Sequence, residues 1–161
     1  GPTPTTAYIE YGSRRFPSVI PQEVDFPAPE LEISDLNGDP VSLADYRDKV
    51  VLVNTWATWC PGCEAEMPEL QAFSQTHQEA DFIVIAVNAE ETADQLIPFV
   101  EKQGLTFPIW LDAKKDVYRV FKSRHLPSSY VIDRSGTVRL AWYGPISKEV
   151  LEIYVTPLLY E

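Results

Sequence analysis

Cys60 and Cys63 are the only two cysteines in this 161-residue chain, and Pro61-Gly62 separates them. A thiol followed three residues later by a second thiol can form a mixed disulfide at the first sulfur and resolve it with the second. The pair follows the apolar run Val50-Val51-Leu52-Val53 and precedes a helical pattern. That context puts Cys60 at a helix N-terminus, where unpaired N–H groups and the positive end of the dipole stabilise a thiolate. Pro61 falls on an early helical position, where its missing N–H costs nothing. Other uses of two cysteines fit less well. A structural bridge across so small a loop removes little unfolded-state entropy. A zinc site needs four ligands, and only His77 and His125 remain, without paired spacing, so no metal is expected. Two inert buried thiols would not need this context. A redox dithiol is the favoured reading, with the Cys60–Cys63 disulfide itself in place of a cofactor.

The elements around the pair alternate. Val50–Val53 and Phe82–Val87 are continuous apolar runs of the kind buried on both faces of a sheet. Between them, Met67, Leu70, Phe73 and His77 recur at helical spacing, which makes His77 a structural residue of that helix. Thr92 caps a second helix that stops at Gly104, and Ser147 caps a third carrying Val150, Leu151 and Tyr154. Residues 129–132 and 138–143 are strands joined by a gap short enough only for an antiparallel hairpin. Leu31–Ser34 and Val41 are short strands turning through Asn37-Gly38. This is an α/β pattern with a partly parallel sheet. Residues 1–28, with Pro2, Pro4, Pro17, Pro21 and Pro27, read as an extended arm or linker ahead of a domain over 29–161. Gly1-Pro2 reads as the remnant of a protease cleavage.

Composition excludes several functions. Asp plus Glu number 24 against 13 Lys plus Arg, a net charge of −11, which opposes nucleic-acid or anionic-membrane binding. The apolar run Phe82–Val87 is far too short to span a bilayer. Hydrophobic residues at 45% exclude a disordered chain.

Several segments together resemble thioredoxin-like proteins of the TlpA/ResA type. They are Asp35-Leu36-Asn37-Gly38, Val41-Ser42-Leu43, Tyr46-Arg47, Lys49–Asn54, Trp56-Ala57-Thr58-Trp59-Cys60-Pro61 through Cys63, Glu66-Met67-Pro68, and Leu126-Pro127-Ser128-Ser129-Tyr130-Val131-Ile132-Asp133. The resemblance implies a thioredoxin fold: a central mixed sheet flanked by helices, with an extra N-terminal hairpin. It implies a cis Pro127 packed on the dithiol, with backbone groups around Leu126 offered to an incoming peptide. It also implies an extracytoplasmic domain, tethered by an upstream anchor and recharged by a membrane thiol donor. Its protein substrates would carry disulfides or thiols, as in cytochrome c or copper-site maturation; a monomer is expected.

Asn54 stands where cytoplasmic thioredoxins usually carry a buried aspartate. The resemblance moves that acid to the end of the next strand, where Val87-Asn88-Ala89-Glu90-Glu91 supplies Glu91, with Glu90 as the alternative. The weaker alternative is that both are solvated first-turn acids. Gly62, His125 and Lys122-Ser123 depart from the common pattern beside the presumed groove, and His125 reads as solvent-facing. Trp56 and Trp59 are expected to pack around the dithiol. Glu64, Glu66 and Glu69 crowd the first turns of the helix; negative charge there disfavours a thiolate and so favours a reducing couple. The expected activity is therefore thiol–disulfide oxidoreduction in the reducing direction, Cys60 attacking and Cys63 resolving. Two alternatives are weaker. A Sco-like metal-carrying assembly protein needs a wider cysteine spacing and a histidine in a matching motif. A peroxiredoxin needs Pro-x-x-x-Thr-x-x-Cys, where this chain has Val53 and Ala57.

Overall fold

A computed structural model describes residues 7–161; the cleavage remnant read at Gly1-Pro2 lies outside them. The strands are β1 (Tyr8–Tyr11), β2 (Arg14–Pro17), β3 (Gln22–Pro27), β4 (Glu32–Asp35), β5 (Pro40–Ser42), β6 (Val50–Thr55), β7 (Phe82–Asn88), β8 (Ile109–Leu111), β9 (Ser128–Ile132) and β10 (Thr137–Tyr143). The helices are α1 (Pro61–Thr76), α2 (Ala93–Gln103), α3 (Asp116–Phe121), α4 (Lys148–Tyr154) and α5 (Thr156–Leu159). Eight strands form one sheet in the order β3-β10-β9-β6-β7-β8-β4-β5, while β1 and β2 pair separately as a hairpin.

The central position of β6 follows from its composition. All six residues are buried, because it pairs parallel with β7 on one side and antiparallel with β9 on the other. A β-branched, apolar run is what a strand covered on both faces requires. One face of the sheet carries Met67, Leu70 and Phe73 of α1, Leu96 of α2, Val150 and Leu151 of α4, and Leu158 and Leu159 of α5 in a single core. The other face is covered more thinly, by Val117, Tyr118 and Phe121 of α3 with Leu31 and Leu43. Fully burying each large apolar side chain contributes roughly 1.5–3 kcal/mol. His77, buried at the C-cap of α1, ties that helix to the chain end through Glu152 and Tyr160 at 2.9 and 3.1 Å.

The arm read over 1–28 needs correction within its described part, from Ala7 onward. Gln22–Pro27 is an edge strand of the main sheet, antiparallel to β10. Its proline closes the strand at the edge, where a missing N–H is tolerated. The hairpin also docks, with Ile9 and Ala7 buried. Tyr11 donates to Glu64 of α1 and accepts from Gln103 of α2, each at 2.8 Å.

Candidate functional site

The dithiol sits where β6 gives way to α1. Cys60 is the N-cap, with extended backbone (φ −88, ψ 113), and its Sγ accepts from the Cys63 N–H at 3.3 Å. The two cysteines are disulfide-bonded across a Cα separation of 5.2 Å. Cys60 keeps 8% of its surface exposed and Cys63 none, so an incoming group can reach only the first sulfur. Pro61 occupies the first helical turn. Trp59, 64% exposed, projects beside Cys60; Trp56 is buried in the core against Phe99, with ring centroids 5.4 Å apart.

Across from the dithiol, the Leu126–Pro127 bond is cis. A Cβ at Gly62 would lie 3.5 Å from Pro145 and 3.8 Å from Pro127, so these residues wall the CxxC turn at ordinary contact distance. The Pro127 carbonyl accepts from the Gly144 N–H at 2.8 Å, which fixes the loop from behind. Val19 braces that support: its N–H bonds the Pro145 carbonyl at 2.9 Å, and Gly144, at φ +113, leaves no room for a Cβ beside it. Leu126 is half-buried, and its own N–H and C=O make no backbone hydrogen bond among the described residues. His125 is exposed, with its ring 5.9 Å from that of Tyr143.

Beneath the dithiol lies a carboxyl group. Glu66 stands one helical turn after Cys63 and, like it, is fully buried. Its Oε1 accepts from Asn54 Nδ2 at 2.7 Å and its Oε2 from the Ile146 N–H at 3.0 Å. Asn54 Nδ2 also donates to Ser129 Oγ at 3.0 Å, leaving Asn54 Oδ1 without a partner among the described residues. Burial pushes the Glu66 pKa up to about 8, against the two hydrogen bonds, which pull it down. Glu66 is therefore largely neutral at pH 7, and the three-carboxylate crowd expected from the sequence loses one charge. Glu69 in turn accepts from the Lys148 N–H at the start of α4, at 3.0 Å.

Glu91 is placed differently. Its Oε1 accepts from the Thr58 N–H at 2.7 Å and from Asn88 Nδ2 at 3.0 Å, and its Oε2 from the Thr58 hydroxyl. It thus clamps the turn leading into Trp59 and Cys60. Glu90 faces away, accepting from the Tyr118 hydroxyl at 2.7 Å and from Lys115 at 3.3 Å. The Tyr118 bond is the main cause holding the Glu90 pKa below the ordinary carboxylate range.

The structure thus gathers Cys60, Cys63, Pro61, Gly62, Trp59, Leu126 and Pro127 at one end of the sheet, with Asn54 behind them and Glu91 on the approach. Sequence reasoning did not single out Glu66 as a buried carboxyl beside the dithiol. A signal existed: with Cys63, Met67 and Leu70 on the buried face of α1, a glutamate three residues after Cys63 shares that face.

The chain matches the AhpC/TSA family over residues 24–141. It is 36% identical over 125 residues to the thiol-disulfide oxidoreductase ResA of Geobacillus kaustophilus, covering 78% of this chain and 72% of that one. With the ResA protein of Bacillus cereus it shares 33% identity over 150 residues, 93% of this chain and 84% of the other. A solved thiol:disulfide interchange protein of the thioredoxin family from Chlorobium tepidum superposes with a TM-score of 0.75 at 28% identity, covering 86% of this chain and 99% of that one.

Proposed function

The chain belongs to the AhpC/TSA family and is a thiol-disulfide oxidoreductase of the thioredoxin fold; from that premise, we propose that it reduces disulfides of exported proteins. The observation that carries this reading is the buried Glu66 carboxyl, one turn from the buried Cys63, with a pKa of about 8. A group poised so close to the ordinary thiol value can take the Cys63 proton at little cost.

In the reaction, the Cys60 thiolate attacks a substrate disulfide. A bond forms between Cys60 Sγ and one substrate sulfur, the substrate S–S bond breaks, and the other sulfur leaves as a thiolate that takes a proton from solvent. In the minor fraction of molecules whose Glu66 is ionised at pH 7, Cys63 then passes its proton to that carboxylate and attacks Cys60 Sγ. This restores the Cys60–Cys63 disulfide and releases the second substrate thiolate. Two electrons move from the dithiol to the substrate. Leu126, held in place by the cis bond to Pro127, presents the open backbone groups against which a substrate strand lies. Glu91 acts through Thr58, as a positioning residue for the turn that carries Cys60.

The direction follows from what surrounds the first sulfur. Glu64, held by Tyr11 in the first turn of α1, places a carboxylate where the helix would otherwise favour a thiolate. A reduced form so disfavoured gives a reducing couple. The same reading locates the domain as a monomer outside the cytoplasm, tethered upstream and recharged by a membrane thiol carrier. Its cargo is an exported protein whose cysteines must be free to take haem or copper.

Trapping tests it. Cys63→Ala should accumulate substrate proteins as mixed disulfides on Cys60, while Cys60→Ala should not; the reverse pattern would overturn the assignment. Equilibration with glutathione should give a potential toward thioredoxin's ~−270 mV, and a value near ~−120 mV would overturn the direction.

A further inference from the structure

A recess of about 560 Å³ opens on the face of the sheet opposite α1. Its floor is Tyr130 and Ala141, one wall is Phe121 of α3, and the facing wall is Phe26 of β3. Tyr130 and Phe121 stack with centroids 4.1 Å apart, so floor and wall form one rigid aromatic corner. The recess exists because the single six-residue helix α3 lies over this part of the sheet and β3 is an edge strand, paired on one side only.

Two observations connect it to the dithiol. The first is continuity. Tyr143 lines the recess, pairs with Ser128 next to cis-Pro127, and lies 5.9 Å ring to ring from His125. From Tyr143 the lining runs along β10 past Ala141 to Phe26, which pairs with Val138. That distance is about 17 Å, or roughly five residues of extended chain.

The second is charge. Of the thirteen Lys and Arg residues in this acidic chain, Lys114, Lys115, Arg119, Lys122 and Arg124 fall within eleven positions that end beside His125. Lys115 and Arg119 are paired with Glu90 and Asp116. Lys122, which lines the recess, is exposed and in no ion pair among the described residues, whereas Arg124 holds its guanidinium over the Tyr118 ring, 5.6 Å from the centroid. An apolar trough with one free cation, Lys122, in its lining complements an extended polypeptide carrying apolar and acidic side chains, and disfavours a basic one.

We propose that this groove docks the segment of the substrate polypeptide flanking the attacked cysteine, an extended stretch of about five residues mixing aromatic or aliphatic side chains with Asp or Glu. The proposal rests on the disulfide-reductase reading and supplies its substrate class. The groove selects among disulfides that Cys60 alone would treat alike.

The test uses synthetic peptides with an oxidised Cys-x-x-Cys loop: the bare loop, the loop extended on either side by seven residues rich in Phe, Leu and Glu, and the same extensions with Lys for Glu. Conversion of each oxidised peptide to its dithiol, followed by chromatography, with a small-molecule dithiol re-reducing Cys60–Cys63 and its uncatalysed rate subtracted, gives kcat and KM for each. One of the two acidic extensions should raise kcat/KM at least tenfold over the bare loop, through KM, and the Lys version should not. In Lys122→Glu the preference should reverse toward the Lys peptide. In Phe26→Ala, checked for native melting, the ratio of extended to bare should fall toward one. Failure to reduce even the bare loop would overturn the reductase reading itself. Equal rates for all extensions alongside good turnover of the bare loop would overturn the docking groove alone, as would equal gains from Glu and Lys extensions.

Discussion

Replacing Glu66 by Gln should remove most of the pH dependence of stability between pH 5 and 8. The folded chain holds Glu66 at about 8, against an ordinary carboxyl value of 4.5. A pKa raised by folding means that the native state binds the proton more tightly than the unfolded chain. Its stabilising share is therefore fully present below about pH 4.5 and is lost as pH rises toward 8. The slope is about 1.4 kcal/mol per pH unit, and the full loss is about 5 kcal/mol across the window. The depressed carboxyls of Glu90 and Glu152 act at lower pH, where their stabilisation is lost as they protonate, so the two effects separate. Urea melts of the oxidised protein at pH 5, 6, 7, 8 and 9 measure the slope. Wild type should lose about 4 kcal/mol from pH 5 to 8, while Glu66→Gln should stay nearly flat. The variant loses one of two acceptor oxygens, at a cost of about 1–3 kcal/mol that shifts its curve without tilting it. Equal slopes in the two proteins would refute the argument, because the titrating group would then lie elsewhere.

Two further outcomes follow from the geometry. Glu91→Gln keeps an acceptor for the Thr58 N–H and should retain the wild-type pH–rate profile, whereas Glu91→Ala should lower kcat/KM about tenfold by loosening the turn before Cys60; a profile displaced in Glu91→Gln as in Glu66→Gln would instead make Glu91 the proton acceptor. Gly144→Ala combines a φ of +113 with a Cβ only 2.7 Å from Val19 Cγ1, and should cost about 2–4 kcal/mol in denaturant melts, with Val19→Ala restoring only part because the backbone strain remains.

The parts legible in the sequence are those where one physical signal dominates. Val50–Val53 could only be a covered strand, and the 3.6-residue spacing through Met67, Leu70 and Phe73 placed α1 to within a turn. The cap at Thr92 and the stop at Gly104, observed left-handed at φ 66, bounded α2 to the residue. Elements held by their surroundings were not legible. Strand β8 has three residues and α3 six, the latter bracketed by Lys115 and Lys122 in left-handed conformation, so neither carries a periodic pattern or a conventional cap. Strand β3 was hidden because Pro21 just before it and Pro27 at its end resemble a linker's prolines, and an edge strand tolerates them. Glu66 was missed for a similar reason. Glu91 matched by spacing, but only the packing of α1 against Asn54 and Ile146 reveals that Glu66 is sealed from water.

The amide of Asn54 carries a consequence for how the site registers its own state. Glu66 Oε2 faces the Ile146 N–H, a main-chain donor that cannot turn around, so the proton of the neutral acid belongs on Oε1. Oε1 faces Asn54 Nδ2, also a donor, and the orientation seen is thus the partner of the ionised carboxylate. Neutralising Glu66 requires the amide to rotate by half a turn. Its currently orphaned oxygen then accepts from both Glu66 and the Ser129 hydroxyl. An uncharged side chain thereby becomes a two-position pointer, and its amide NMR signals would report proton occupancy deep beneath the cysteines without any probe at sulfur.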